Sequence, residues 1–320
     1  GSLEHPNVVP VHELMLDDDG FPVVVMKRIE GEAWSDLIGD DATTQERHGV
    51  SDVLEWHVSV LIKVCDALSF AHSRGVLHRD LKPENVMVGR FGEVYLVDWG
   101  VAAALTDDHI GRFHLVRDVD SFAGTPRYMA PEMLGGRGAS LSEKTDVYLL
   151  GATLFHVLTG EPPHPGDNIM EIATHISVED PVLPPGVPPH LGEICLRAMA
   201  RDPSDRFETV DAFRAALQDF STHRHAIFLA EEGEAKLREL VSLASVVPDD
   251  PEAHRVRMFN TYSEARLGFR LARRIWPESG QAMRGLTSAS ETMIDYLLRA
   301  GDVDSATTLA SQLEGAPGPE

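Results

Sequence analysis

Cysteine is almost missing from this chain. Of 320 residues only two carry a thiol, and Cys65 and Cys195 sit far apart in apolar helical stretches with no CxxC pair. That excludes a disulfide framework and a thiolate zinc site, and reads as two buried reduced thiols. The 15 histidines form no HExxH and no tight cluster, so a metalloenzyme of that kind is not expected either. No uninterrupted apolar run approaches the roughly 18–20 residues that a bilayer crossing needs. Basic charge is scarce: 28 Lys and Arg stand against 51 Asp and Glu, net -23. A nucleic-acid backbone or an anionic membrane surface is therefore a poor main partner. The chain also opens on Gly1-Ser2-Leu3 without Met, a basic n-region or a signal-peptide core.

What is present is globular in composition, 43% hydrophobic and 25% charged over 320 residues, which predicts about two domains. Residues 221–320 hold 15 acidic and 11 basic groups, net -4, so the acidity, net -19, belongs to residues 1–220. Pro and Gly punctuate the first part, whereas His225 to Leu313 is rich in Ala, Leu, Arg and Glu. The expected domains are 1–220 and 221–320.

Strands are predicted over Val8 to Leu16 and Phe21 to Met26, joined by the turn Asp17-Asp18-Asp19-Gly20. Asp52 with Glu55 forms a capping-box pattern before Leu54, Val58, Leu61, Cys65 and Leu68, which share one helical face up to Gly75. The short strands Val86-Met87-Val88 and Val94-Tyr95-Leu96-Val97 flank a hairpin turn at 89–92. Ser142 caps an apolar helix running to Leu158, and further helices are expected over 167–176, 189–200 and 209–219.

Between the long helix and the first short strand lies His78-Arg79-Asp80-Leu81-Lys82-Pro83-Glu84-Asn85, and after the second strand comes Asp98-Trp99-Gly100. Asp80, Lys82, Asn85 and Asp98 thus sit at element ends, where side chains can converge on one cleft. Phosphoryl transfer asks for such a set: oxygens for Mg²⁺, a cation on the transferred group and a carboxylate near the attacking hydroxyl.

Residues 5 to about 217 resemble a eukaryotic-like (Hanks-type) bacterial serine/threonine protein kinase, a family that serves as a general template for phosphoryl transfer. The resemblance rests on the two motifs above, on Ala130-Pro131-Glu132, on Asp146-Val147-Tyr148-Leu149-Leu150-Gly151, and on Arg206 in Arg201-Asp202-Pro203-Ser204-Asp205-Arg206-Phe207. It implies an α+β, protein-kinase-like fold with a mostly helical C-lobe and a partial β N-lobe, followed by an all-α tail. It implies ATP and Mg²⁺, with Asp80 at the substrate hydroxyl, Lys82 on the γ-phosphate, and Asn85 and Asp98 on the metal. Thr125, after Gly124, would bridge Asp80 and Lys82 at the substrate side. Met26 falls at the gatekeeper position, Lys27 and Ile29 would bond adenine through their main chains, and Met87 would lie beneath its ring. Arg79 could receive a phosphate on Thr106 or Ser121, or make structural hydrogen bonds only. Glu132, Arg206 and Asp146 take scaffold roles, and Trp99 departs from the usual Phe.

The family's Gly-rich loop, strand lysine and helix glutamate have no counterpart ahead of the hairpin, and Leu3 to Val9 resembles the connection after that helix. The expectation is a chain that enters the domain midway, and that binds MgATP weakly and phosphorylates poorly by itself. The alternative is a non-catalytic pseudokinase-type scaffold. In the tail, Ala265, Phe269, Ala272 and Pro277 match the spacing of a tetratricopeptide second helix, with a later helix pair at 281–299 and 302–313. That region reads as a docking module for a protein partner or as a helical extension. Protein substrates bearing Ser or Thr, no nucleic acid, no membrane segment within the chain and a cytoplasmic location complete the expectation.

Overall fold

The computed structural model describes residues 4–17, 19–107, 113–118, 123–135, 140–246 and 249–314. Its first two strands, β1 (Val11–Leu16) and β2 (Pro22–Met26), pair antiparallel as a ribbon of two. The Asp17 carboxylate shapes the turn by accepting the N–H groups of Asp19 and Phe21 at 3.0 and 2.8 Å. β1 starts three residues later than its sequence pattern predicts, because Val8 and Val9 are drawn to another strand: the Leu96 N–H donates to Asn7 and the Val9 N–H to Leu96. Val11, Leu16, Phe21 and Val24 stand exposed on this ribbon, and two strands alone are marginal in water.

β3 (Gly31–Ala33) precedes helices α1 (Asp41–His48) and α2 (Val53–Ser73). The Asp52 carboxylate caps α2 through the Glu55 N–H at 3.0 Å. Val58, Leu61, Cys65 and Leu68 are buried as their spacing demands, and so are Val60, Val64, Ala67 and Ala71, which widens the stripe to most of the helix. Short strands β4 (Val76–Leu77), β5 (Val86–Gly89), β6 (Val94–Leu96), β7 (Ala103–Ala104) and β8 (His114–Leu115) follow. They form two small sheets, in the orders β3-β5-β6 and β4-β7-β8. α3 (Glu143–Thr159) is buried almost all round between Thr145 and Phe155 and is the central post of this unit. α4 (Ile169–Val178) and α5 (Pro189–Ala198) lie outside it.

Contacts divide the chain into two compact units, Gly1–Ser221 and Thr222–Glu320. The division falls inside α6, where the sequence pattern predicts a helix over 209–219 and a connecting helix over Phe220 to Leu240. One helix runs instead, Val210–Ala244, because it holds no proline and its single glycine, Gly233, does not break it.

In the second unit, α7 (Pro251–Ile275), α8 (Gly280–Arg299) and α9 (Val303–Glu314) follow, with Asp250 capping α7 and Ser279 capping α8. Ala265, Phe269 and Ala272 are fully buried in its core, and Pro277 is exposed in the turn after α7. The Phe269 ring is seated on glycines: a Cβ on Gly285 would lie 2.3 Å from it and one on Gly233 3.0 Å from it. A Cβ on Gly268 would lie 3.0 Å from the Gly233 backbone, so α6 and α7 cross at near backbone contact. Gly285→Ala should therefore destabilise this unit by about 1–3 kcal/mol through overpacking, read as a lower urea midpoint of helical circular dichroism.

Two buried histidines set an acid limit on the first unit. The Trp34 indole N–H donates to His57 Nδ1 at 2.8 Å, and Tyr148 Oη and His164 Nε2 are 2.8 Å apart. Burial pulls both imidazoles down to about 4 from 6.5. Between those values the unfolded chain binds protons that the folded one refuses. The stabilisation is thus complete above about pH 6.5 and is lost as pH falls towards 4, by up to about 3 kcal/mol per histidine. His57→Gln, which retains an acceptor for Trp34, should flatten the drop in the first unit's urea midpoint between pH 7 and pH 5.

Candidate functional site

The loop 78–85 is held from behind by one carboxylate. Asp146, fully buried on α3, accepts the backbone N–H groups of His78 and Arg79 at 2.9 Å each, and its Oδ2 lies 2.8 Å from His72 Nε2. Burial alone would raise its pKa; the bonds from His72 and the loop N–H outweigh that and hold it below the usual carboxylate value. The grip keeps Arg79 at φ 72°, a left-handed conformation that a long side chain adopts only under constraint. His78 Nε2 is 3.2 Å from the Val97 carbonyl, and the Asp80 N–H donates to His78 Nδ1 at 3.3 Å. Those partners require a neutral ring protonated on Nε2, in line with the lowering that burial imposes.

From this loop the predicted residues converge. Lys82 Nζ donates to Asp80 Oδ2 at 2.9 Å and also to the Thr125 hydroxyl, which donates to Asp80 Oδ1 at 2.7 Å. Asn85 Nδ2 donates to the Asp80 carbonyl at 2.8 Å and to Oδ2 at 3.0 Å. Burial pushes the Asp80 carboxyl up, but these donors together hold it below its ordinary value, so it is an anion at neutral pH. Asp98 lies beside this group, since the Val97 N–H donates to the Asn85 carbonyl at 2.9 Å. It too is left-handed, at φ 59°, and its exposed carboxylate accepts the nearby Gly100 N–H at 3.2 Å.

Thr125 reaches Asp80 because Gly124 precedes it. Gly124 has φ 113°, and a Cβ there would lie 2.8 Å from the Arg79 carbonyl, so only glycine lets the two segments touch. The segment is anchored further on by Arg206, whose guanidinium holds Glu132 Oε1 and Oε2 at 2.7 and 2.9 Å. Its remaining N–H groups go to the carbonyls of Ala200, Lys144 and Arg201, so all five donors are used.

At the opposite edge, Met26 ends β2 exposed, and Ile29 and Met87 are half-buried. The Lys27 N–H donates to the Pro10 carbonyl at 2.9 Å, which leaves only its carbonyl for a ligand. Lys27 Nζ reaches Tyr95 Oη at 2.6 Å and lies 4.6 Å above that ring. Met87 pairs with Tyr95 across β5 and β6, so Lys27, Tyr95 and Met87 share one patch. Sequence reasoning missed Tyr95; the alternation of buried Val94 and Leu96 around it was the available signal. It also missed His72. Of the two candidate phosphorylation positions, Thr106 is exposed beside Gly75, and Ser121 lies outside the described residues. Arg79 Nη1 donates to the Val101 carbonyl at 3.1 Å, and Trp99 packs edge-on against His78.

The protein kinase domain family matches residues 1–217. The chain belongs to that family. Over 223 residues this kinase-family chain is 33% identical to the serine/threonine-protein kinase PknB of Mycolicibacterium smegmatis, covering 68% of this chain and 33% of PknB. Over 247 residues it is 35% identical to the serine/threonine-protein kinase PknD of Chlamydia trachomatis, covering 68% of this chain and 25% of PknD. The chain thus spans a third or less of the length of these curated relatives. No described helix is long and apolar enough to cross a membrane.

Arg206→Met should cost about 3–5 kcal/mol, because it strands the Glu132 charge where only 9% of that side chain meets solvent. The measurement is the urea midpoint of the first unit. A loss no larger than that of an exposed ion pair, about 1 kcal/mol, would contradict the buried clamp.

Proposed function

We propose that this kinase-family chain transfers the γ-phosphoryl group of ATP to serine or threonine hydroxyls of proteins. The observation that carries the reading is the closed set Asp80, Lys82, Thr125 and Asn85 beside the exposed Asp98 carboxylate. Asp80, ionised and aimed by three donors, takes the proton of the attacking hydroxyl as its oxygen bonds to the γ-phosphorus and the bond to the departing ADP oxygen breaks. Lys82 brings its ammonium to the transferred phosphoryl oxygens. Thr125 ties the substrate-side segment to both, in the manner expected of a serine/threonine enzyme.

The donors fit Mg²⁺. Asn85 spends its amide nitrogen on Asp80, which leaves Oδ1 as an acceptor, and Asp98 offers a carboxylate, so both supply the hard oxygens this cation prefers. Bound there, the ion would offset negative charge on the phosphates. Among the described residues no group of three or more His, Cys, Asp and Glu forms a metal cage, as suits an ion that takes most of its ligands from nucleotide and water. Adenine would meet the Lys27 carbonyl and the Ile29 main chain above Met87. The contacts that join Asp80, Lys82, Thr125 and Asn85 support the transfer reading over the scaffold alternative. Two buried free thiols, and ATP as the phosphoryl donor of the proposed reaction, support a cytoplasmic location for it.

The test is transfer of labelled phosphate from [γ-³²P]ATP to a generic protein substrate by the chain, beside thermal shift with ATP and Mg²⁺. Asp80→Asn should lower transfer by at least about 100-fold while sparing nucleotide binding. Asp98→Ala should abolish the Mg²⁺-dependent part of the thermal shift. Equal transfer and equal shifts in all three proteins would overturn the assignment.

A further inference from the structure

The second unit carries charge and apolar surface that its own fold leaves unused. Residues 222–320 are net acidic, yet α7 alone collects six arginines against two glutamates, net +4. Arg255 is engaged with Asp302 at 2.6 Å. Arg257, Arg270 and Arg274 are exposed, and among the described residues no carboxylate pairs with them. The helix macrodipole accounts for basic residues in the last turn, Arg273 and Arg274, but reaches neither Arg257 nor the apolar residues beside them.

Those apolar residues form a line. Val256, Leu267 and Leu271 recur at helical spacing on the outward side of α7, the first two 56% and 58% exposed, with Asn260 and Ser263 between them. The line is about 22 Å long at 1.5 Å per residue. At its flank Phe259, also exposed, sits at the mouth of a cleft of about 360 Å³ shared with α8 and α9, whose apolar walls include Tyr262, Met293, Leu297 and Leu309. The inner side of the same helix, with Ala265, Phe269 and Ala272, is already spent on the core. α7 is therefore apolar on both sides, and among the described residues of this unit the core covers the inner side alone.

We propose that the outer face of α7 is a docking surface for an acidic amphipathic helix of another protein. Its apolar residues would cover Val256, Leu267 and Leu271 and place one side chain in the cleft at Phe259. Its carboxylates would meet Arg257, Arg270 and Arg274. Charge decides the sign of the partner: a basic segment would face unpaired arginines. A membrane surface fits less well, because polar Asn260 and Ser263 interrupt the apolar line and the chain as a whole is net -23. The proposal stands independently of phosphoryl transfer, since it uses no residue of that site.

The experiment uses the full chain and a fluorescein-labelled helical peptide of about 20 residues, with leucines on one face and glutamates on both flanks, read by anisotropy. A second peptide carries lysine at every glutamate position. The glutamate peptide should bind at micromolar concentration, and the lysine peptide should bind at least about tenfold more weakly. Arg270→Glu with Arg274→Glu should weaken the first peptide about tenfold and strengthen the second, and Leu267→Asn should weaken the first alone, each with unchanged circular dichroism and unchanged phosphate transfer. Three results would overturn the proposal: no binding of the glutamate peptide, equal binding of the two peptides, or co-sedimentation with phosphatidylserine vesicles that the double arginine variant loses while peptide binding is absent.

Discussion

The Asp146 carboxylate is the point from which the site hangs. A fully buried anion costs several kcal/mol of lost hydration, and here that cost is offset by two backbone N–H groups and His72. What the arrangement secures is backbone shape: Arg79 stays left-handed, and the chain turns so that Asp80 faces outward while His78 faces in. Because α3 is buried almost all round, the carboxylate has nowhere to move. The strain in the loop is therefore held by a helix packed on nearly every side.

A second buried ionic clamp acts on the segment that completes the site. Arg206 spends all five donors within protein, two of them on Glu132, and its guanidinium also lies 4.9 Å above the Tyr148 ring. Asp146 thus fixes the loop at 78–85 and Glu132 fixes the segment around 123–135, with Gly124 allowing the two to touch. Asp80 and Thr125, distant in the chain, meet at 2.7 Å as a result. Charge is buried where it positions backbone and exposed at Asp98, where a phosphate-bound cation would need it.

The second unit follows different physics. Its core is built on close helix crossings, with the Phe269 ring resting on Gly233 and Gly285, and its ion pairs, such as Lys236 with Glu264, lie at the surface. Such pairs contribute little to stability. Arg257, Arg270 and Arg274 on α7 are the exposed charges that the proposed recognition would use, and recognition is a matter of surface charge and apolar shape more than of folding.

Local chemistry was legible in the chain itself. Asp52 and Ser142 announced helix starts, the turn at 89–92 announced a hairpin, and the candidate set Asp80, Lys82, Asn85 and Asp98 could be named because its members lie at short, ordered spacings beside element ends. Three features were not legible, two of them because each depends on a neighbour brought in from elsewhere. Lys27 meets Tyr95, and His72 meets Asp146, across some seventy residues of intervening chain. The run of α6 through residue 220 turns on the absence of a breaker, which a shift of composition there disguised. The sequence by itself determined which residues can carry charge or cap a helix, since those are properties of single side chains and their near neighbours. Only the tertiary structure decided which of them are buried together, and burial is what makes a carboxylate a clamp at Asp146 while Asp98 stays an exposed anion.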